Sequence, residues 1–293
     1  MELNRKIDRL LTKEQKTKFQ IDNGKFKILN NIVLLPVITA LLGIYLESII
    51  IVSISILGII AFLVCKIFSF KKKNVVYEET IIPAVLKEKF QDIQIVKDDN
   101  LIEEEFKRSN IIPDFKNIDV EKSFAINKEK YSLNLSKIIV KKLNIEENDG
   151  VVDKDIEEKF NGVFIYVKLP VKTSTSYRVI DKKLEIDSDS KVKITNYDFD
   201  SVYDVFSTEQ AEVRGILSAG IMARILEFNA KIGGVINFSI NEDMLYVAVD
   251  YKKFLEFKGN GKKYIDEPEA LRNLEMLEIL DLFVTYFFNI YEK

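Results

Sequence analysis

From Ile28 to Phe70 the chain runs 43 residues with only two charged side chains, Glu47 and Lys66. No other stretch restricts the fold so strongly. As a single helix it would reach about 65 Å at ~1.5 Å per residue. A bilayer's hydrocarbon core is about 30 Å thick, so one crossing uses roughly 20 residues. Two helices fit the length, about 31–46 and 49–68, joined by "YLES". Glu47 would cost about 3 kcal/mol at mid-bilayer and little at a turn. The spacing therefore predicts a transmembrane helical hairpin over 28–73, turning at Tyr45, Glu47 and Ser48. The seam between the helices is expected at small residues, Ser53, Ser55, Gly58 and Ala61.

The flanks predict an orientation. Arg5, Lys6, Arg9, Lys25 and Lys27 precede the hairpin, Lys71, Lys72 and Lys73 follow it, and the turn has no Lys or Arg. The positive-inside rule then places both termini in the cytoplasm of a multi-pass protein of the cell membrane. A secretory signal would be shorter and nearer the start. A hairpin buried in a soluble protein would keep a polar face, and "IIIVSISILGIIAFLV" offers little.

Charge divides the chain in the same way. Residues 1–73 hold 12 Lys/Arg against 5 Asp/Glu, and residues 74–293 hold 31 against 41. An acidic larger portion argues against nucleic acid, whose phosphates need clustered basic side chains. A basic end beside an apolar region fits lipid headgroups. Histidine is absent and Cys65 is the one cysteine. Disulfides within the chain, thiolate metal cages and imidazole chemistry are thereby excluded.

The expected domains are a basic amphipathic arm (1–27), the hairpin (28–73) and a cytosolic domain (74–293). In the arm, Leu3, Ile7, Leu10 and Leu11 share one helix face. That face suits either the inner leaflet or docking on the larger domain. The larger domain reads as α+β, with antiparallel sheet packed by helices. Residues 77–90 form a helix broken or kinked at Pro83. "IQIV" reads as a strand, and "DNLIEEEFKRSN" as a helix capped by Asp99 or Asn100. Residues 124–195 alternate like strands, parted by turn-prone "ENDG", "DSDSK" and "NYDFD". A helix capped by Ser207 runs to Gly233 and Gly234. A hairpin "VINFSI"–"LYVAVDY" comes next, then a last helix started by Pro268. Tyr286, Phe287, Phe288 and Tyr291 on that helix suit the core, or an interface or membrane contact.

Several chemical motifs fail on inspection. Glu103, Glu104 and Glu105 are consecutive helix positions pointing different ways, so they read as a solvated face. Ser188 and Lys191 have Ser-x-x-Lys spacing, but in a loop of alternating acids. "DSDSK" lacks the glycine and distal glutamate of a calcium loop. The glycines form no phosphate-binding loop. No catalytic, metal or cofactor residue is named.

Several segments occur in order: "YEETIIPAVLKEKF", "FNGVFIYVKLP", "YDFDSVYDVFSTEQAEVRGILSAGIMARIL" and "INFSINEDMLYVAV". With the apolar hairpin before them, they resemble the bacterial domain-of-unknown-function family numbered 3137, over roughly Tyr77 to Ile290. The nearest parts are Phe160–Phe164 and Phe199–Leu226, including Phe206, Ser207, Ala211, Arg214 and Leu217. The resemblance implies a membrane-anchored α+β domain with no assigned activity. It also suggests a LemA-type membrane protein as partner.

The functional expectation is a membrane-tethered interaction or scaffold protein that is not an enzyme. A lipid- or hydrophobic-ligand-binding domain is the alternative, and an uncharacterised enzyme the third reading. The expected partners are the lipid bilayer, an unidentified protein and further copies of the chain, with no nucleic acid and no cofactor.

Overall fold

The structure, a computed structural model, describes residues 2–13, 15–16, 34–46, 49–113, 115–148, 151–186, 188, 190–259 and 263–292. It divides into two units. One comprises Met1–Leu86 and Phe257–Ala270, and the other Lys87–Glu256 and Leu271–Lys293.

In the first unit, α1 (Glu2–Leu10) buries Leu3 and Ile7, and Leu11 just beyond it is buried too. The exposed Arg5, Lys6 and Arg9 fill its other side. Asn4 fastens the helix to a distant segment. Its amide oxygen accepts from the backbone N–H of Tyr264 (2.9 Å) and Ile265 (3.1 Å), and its amide nitrogen donates to Glu267 at 3.0 Å. The Tyr264 hydroxyl donates to Asp8 at 2.7 Å. α1 thus packs against residues 264–267 of its own unit, while Lys25 and Lys27 lie outside the described residues.

The apolar stretch does form a helix pair, α2 (Leu34–Tyr45) and α3 (Ile49–Val76). Ser55 is buried on their seam and donates to the Thr39 hydroxyl at 3.0 Å, whereas Ser53 is exposed. Tyr45 ends α2 and is 84% exposed. Glu47 and Ser48 lie outside the described residues. Lys71, Lys72 and Lys73 fall within α3.

The expected membrane crossing is corrected: among the described residues no helix is long and apolar enough to cross a membrane. The physical reason starts with α2. Its 12 residues span about 18 Å at ~1.5 Å each, well short of a core of about 30 Å. The longer α3 takes in Lys66 and the triple lysine in its second half. Two crossings need two full-length apolar helices. The transmembrane hairpin, the multi-pass membrane location with cytoplasmic termini, and the tethered-scaffold function are withdrawn with it. The bilayer partner rested on the same hairpin and goes with it; the LemA-type partner, suggested by the family resemblance, and self-association have no support either.

Beyond α3 the helix widens into a π turn at Tyr77–Ile81 and resumes as α4 (Ile82–Leu86). Pro83 accounts for the irregularity, since it lacks an N–H and its ring crowds the carbonyl four residues earlier. Tyr77 is buried, and its hydroxyl accepts from the Phe257 N–H at 3.1 Å.

The second unit is one nine-stranded antiparallel sheet with helices on both faces. Its strands are β1 (Asp92–Ile95), β2 (Asn117–Asn127), β3 (Ser132–Asn148), β4 (Val151–Lys168), β5 (Tyr177–Asp181), β6 (Lys191–Val192), β7 (Tyr203–Phe206), β8 (Ile236–Asn241) and β9 (Met244–Asp250). Their spatial order is β1-β2-β3-β4-β9-β8-β5-β7-β6. The antiparallel α+β expectation holds for this unit. Gly162 shows how closely β4 and β9 approach: a Cβ there would sit 2.1 Å from the Val249 carbonyl oxygen.

Helix α5 (Asp99–Ser109) covers one face. Asp98 caps it, accepting from the Leu101 N–H at 3.1 Å, one residue earlier than expected. Ile102 and Phe106 pack into a core with Phe164, Ala248, Ile180 and Phe206. The expected solvated face at Glu103–Glu105 is half right. Glu103 pairs with Lys107, but Glu105 is 6% exposed and accepts from the Tyr246 hydroxyl at 2.8 Å.

Helices α8 (Ala219–Ile232) and α9 (Glu267–Glu292) serve the other face. Phe238 of β8 meets Phe283 and Phe287 of α9, and Phe228 of α8 meets Phe283. Instead of one helix after Ser207, the chain forms α7 (Gln210–Ile216) and then α8, with α6 (Tyr197–Asp200) earlier. Ser218 between α7 and α8 has extended backbone, ψ 162°, which no continuous helix permits. Gly233 ends α8 at φ 71°, as its position predicts. Of the aromatic residues of the last helix, Phe287 and Phe288 are buried in the core, Tyr286 and Tyr291 are half-buried, and the Tyr291 hydroxyl bonds that of Tyr177 at 3.2 Å.

Candidate functional site

β8 reads Ile-Asn-Phe-Ser-Ile-Asn, and in a strand alternate residues share a face. Ile236, Phe238 and Ile240 enter the aromatic side. Asn237, Ser239 and Asn241 therefore face the α5 side, where a buried polar group must find a partner or cost free energy. Asn237 accepts from the Asp181 N–H at 2.7 Å. Ser239 donates to the Ser109 carbonyl at 2.7 Å, and Asn241 donates to the Arg108 carbonyl at 3.4 Å. Both acceptors lie in the last turn of α5, whose carbonyls have no partner within the helix.

β5 lies beside β8, with Arg178 directly opposite Ser239. On its other side Arg178 is opposite Phe206 of β7, and Phe206 is opposite Lys191 of β6. Directly opposed residues share a sheet face. Ser239, Arg178, Phe206 and Lys191 therefore form one row across four strands. Asn110, in left-handed conformation at φ 50°, closes α5 above the row.

Between the row and the end of α5 lies a cleft of about 220 Å³. Arg178 is its main feature. One guanidinium nitrogen donates to the Asn110 carbonyl at 2.7 Å, and the guanidinium carbon lies 4.8 Å from the Phe206 ring centre. The ring and the carbonyl together fix the plane of the cation. Burial pulls the Arg178 pKa below the usual guanidinium value, which signals charge removed from water without full compensation. Among the described residues no Asp or Glu pairs with it, and none lines the cleft. Arg108, at the rim, is already paired with Glu105 at 2.9 Å, and Lys191 with Asp204 at 2.8 Å.

The remaining wall is hydroxylic. Ser176 donates to the Asn241 side-chain oxygen at 2.9 Å, and Ser207 donates to the Ser176 carbonyl at 2.8 Å. Thr208 stands at the exposed lip. Among the described residues no group of three or more His, Cys, Asp or Glu could hold a metal ion. The arrangement can bind an anion by charge-assisted hydrogen bonds. It offers no base poised beside a nucleophile.

Of the residues singled out from the sequence, Phe206 and Ser207 line this cleft; both were named as part of a resemblance, and Ser207 also as a helix cap. The available signal was the alternation itself: polar residues at 237, 239 and 241, and at 176 and 178, in strands otherwise apolar.

The fold and site together define an antiparallel α+β domain with an arginine cleft at the end of one covering helix. Within this chain, residues 158–285 match the family model described as a protein of unknown function (DUF3137). The match covers less than half of the chain, inside the span predicted by resemblance, and the membrane anchoring inferred from that resemblance is not supported. A crystal structure of the mycobacterial trehalose monomycolate transport factor A, TtfA, aligns over 64% of this chain and 86% of its own, at 13% identity and a TM-score of 0.34. That similarity is too slight to carry an inference. No curated protein matches the chain.

Proposed function

We propose that the antiparallel domain is a receptor for a small anion, bound on Arg178 in the cleft below the end of α5. The observation that carries this reading is a half-buried guanidinium with no acidic partner among the described residues. A cation partly withdrawn from water with no countercharge among the described residues is costly, and an anion in the cleft would restore its balance. Arg178 also caps α5, and the capping role alone uses one of its five N–H groups. Among the described residues no hydrogen-bond partner takes the others, which are left for a ligand.

The test is titration of the full chain with inorganic phosphate, read by thermal melting and by amide chemical shifts. The expected result is saturable stabilisation, with shifts confined to residues around 108–110, 176–178 and 206–208. Binding should weaken as ionic strength rises and vanish in Arg178→Gln. Equal shifts in wild type and in a folded Arg178→Gln protein would refute the assignment.

A further inference from the structure

Three hydroxyl groups of the cleft have a direction. Ser176, Ser207 and Ser239 each give their one proton to another atom of the protein: the Asn241 side-chain oxygen, the Ser176 carbonyl and the Ser109 carbonyl. A serine hydroxyl has one proton and two lone pairs. With the proton used, it can offer a ligand only acceptor capacity. Ser207 also accepts from the Glu209 N–H at 3.1 Å, which leaves it one lone pair, while Ser176 and Ser239 keep two. The cleft therefore presents a cationic donor, Arg178, beside acceptors on Ser176 and Ser239, while Thr208 at the lip and Ser190, bonded to Ser188 with either as donor, can serve in either sense.

A bare phosphate or carboxylate satisfies only half of that surface. Its oxygens would meet Arg178 and leave the serine lone pairs without donors. A ligand that fits both halves carries an anionic head and, next to it, hydroxyl groups with protons to give. Size narrows the class. At about 220 Å³ the cleft lies below the roughly 300–1,000 Å³ usual for drug-sized ligands, so it suits a small one.

We infer that the ligand is a hydroxylated small anion, a three- or four-carbon hydroxy acid or polyol phosphate whose head rests on Arg178 and whose hydroxyls donate to Ser176 and Ser239. This rests on the anion-binding reading above. It adds the claim that the hydroxyls are recognised.

Calorimetric titration of the full chain with matched probes tests it. Glycerol 3-phosphate and propyl phosphate share charge and length and differ by two hydroxyls. D-glycerate and propionate make the same comparison with a carboxylate head. The hydroxylated member of at least one pair should bind about tenfold tighter, as expected for one or two added hydrogen bonds. Ser176→Ala, at an exposed position, should shrink that ratio, because it removes one acceptor that only the hydroxylated probes use. Whichever pair shows the effect identifies the head.

Equal affinity within both pairs, with binding still lost in Arg178→Gln, would overturn the hydroxyl claim and leave the anion site standing. Binding that survives in folded Arg178→Gln would overturn both. Because Arg178 caps α5, Arg178→Lys serves as a second variant. It keeps the cation and should retain weakened binding of the hydroxylated probe.

Discussion

Removing the Tyr246 hydroxyl should destabilise the sheet unit by about 2 kcal/mol. Tyr246 is 1% exposed, and its hydroxyl donates to the Glu105 carboxylate at 2.8 Å. Burial, and then the bond to Glu105, push its pKa well above the ordinary phenol value, so it remains a donor at any ordinary pH. Glu105 is itself buried, and its other partner, Arg108, is largely exposed. An ion pair whose cation stands in water is weakened by screening, so the tyrosine bond is the main buried compensation for that carboxylate. Bonds to charged groups contribute roughly 1.5–3 kcal/mol. Tyr246→Phe leaves the packing in place and takes the bond away. With a urea slope of about 2 kcal/mol/M, the midpoint should fall by roughly 1 M at unchanged slope. Glu105→Met should cost a similar amount, because it leaves the buried hydroxyl without a partner. Together the two changes replace a polar pair by an apolar one of similar shape, and the double variant should cost less than either single one. Costs that simply add in the double-mutant cycle would refute the coupling, and so would a Tyr246→Phe effect below about 0.5 kcal/mol.

Three further outcomes follow from other parts of the molecule. Gly162→Ala should destabilise the sheet by about 3 kcal/mol or more, because its Cβ would meet the Val249 carbonyl oxygen at 2.1 Å; urea denaturation checks this. Asn4→Ala should release α1, raising hydrogen exchange of residues 3–11 and of the Tyr264 and Ile265 amides while the sheet amides stay protected. Asp8 is held below the ordinary carboxylate value of 3.8, chiefly by the Tyr264 hydroxyl and then by Lys16. Its stabilising contribution is complete above that value and is lost as pH falls through the lower folded pKa. Exchange at α1 should therefore rise in acid, and Asp8→Asn should flatten that dependence.

Elements whose signals are local were legible in the sequence. The break at Pro83, the α5 helix, the β8–β9 hairpin and the long last helix each follow from a proline, a cap or a period within about twenty residues. The apolar stretch was legible as two helices parted near Tyr45, where the polar "YLES" interrupts it, although the bilayer thickness used to argue the turn does not apply. Its expected destination in a membrane did not survive the shortness of α2. Glu105 was misread because its burial depends on Tyr246, a partner far along the chain. The cleft was hidden for the same reason. Arg178 acquires Ser239, Phe206 and Asn110 only through strand pairing and the docking of α5. No spacing rule in a single sequence encodes those meetings.

The central claim is that the Arg178 guanidinium is the charge on which a small anion rests. Side-chain Nε–Hε spectra of the full chain, assigned by the loss of one signal in Arg178→Gln, would report that group directly during a glycerol 3-phosphate titration. The account predicts that the Arg178 signal moves saturably and more than that of Arg224 or Arg272, which lie outside the cleft lining. An Arg178 signal that stays fixed while the others move, or while none does, would contradict it.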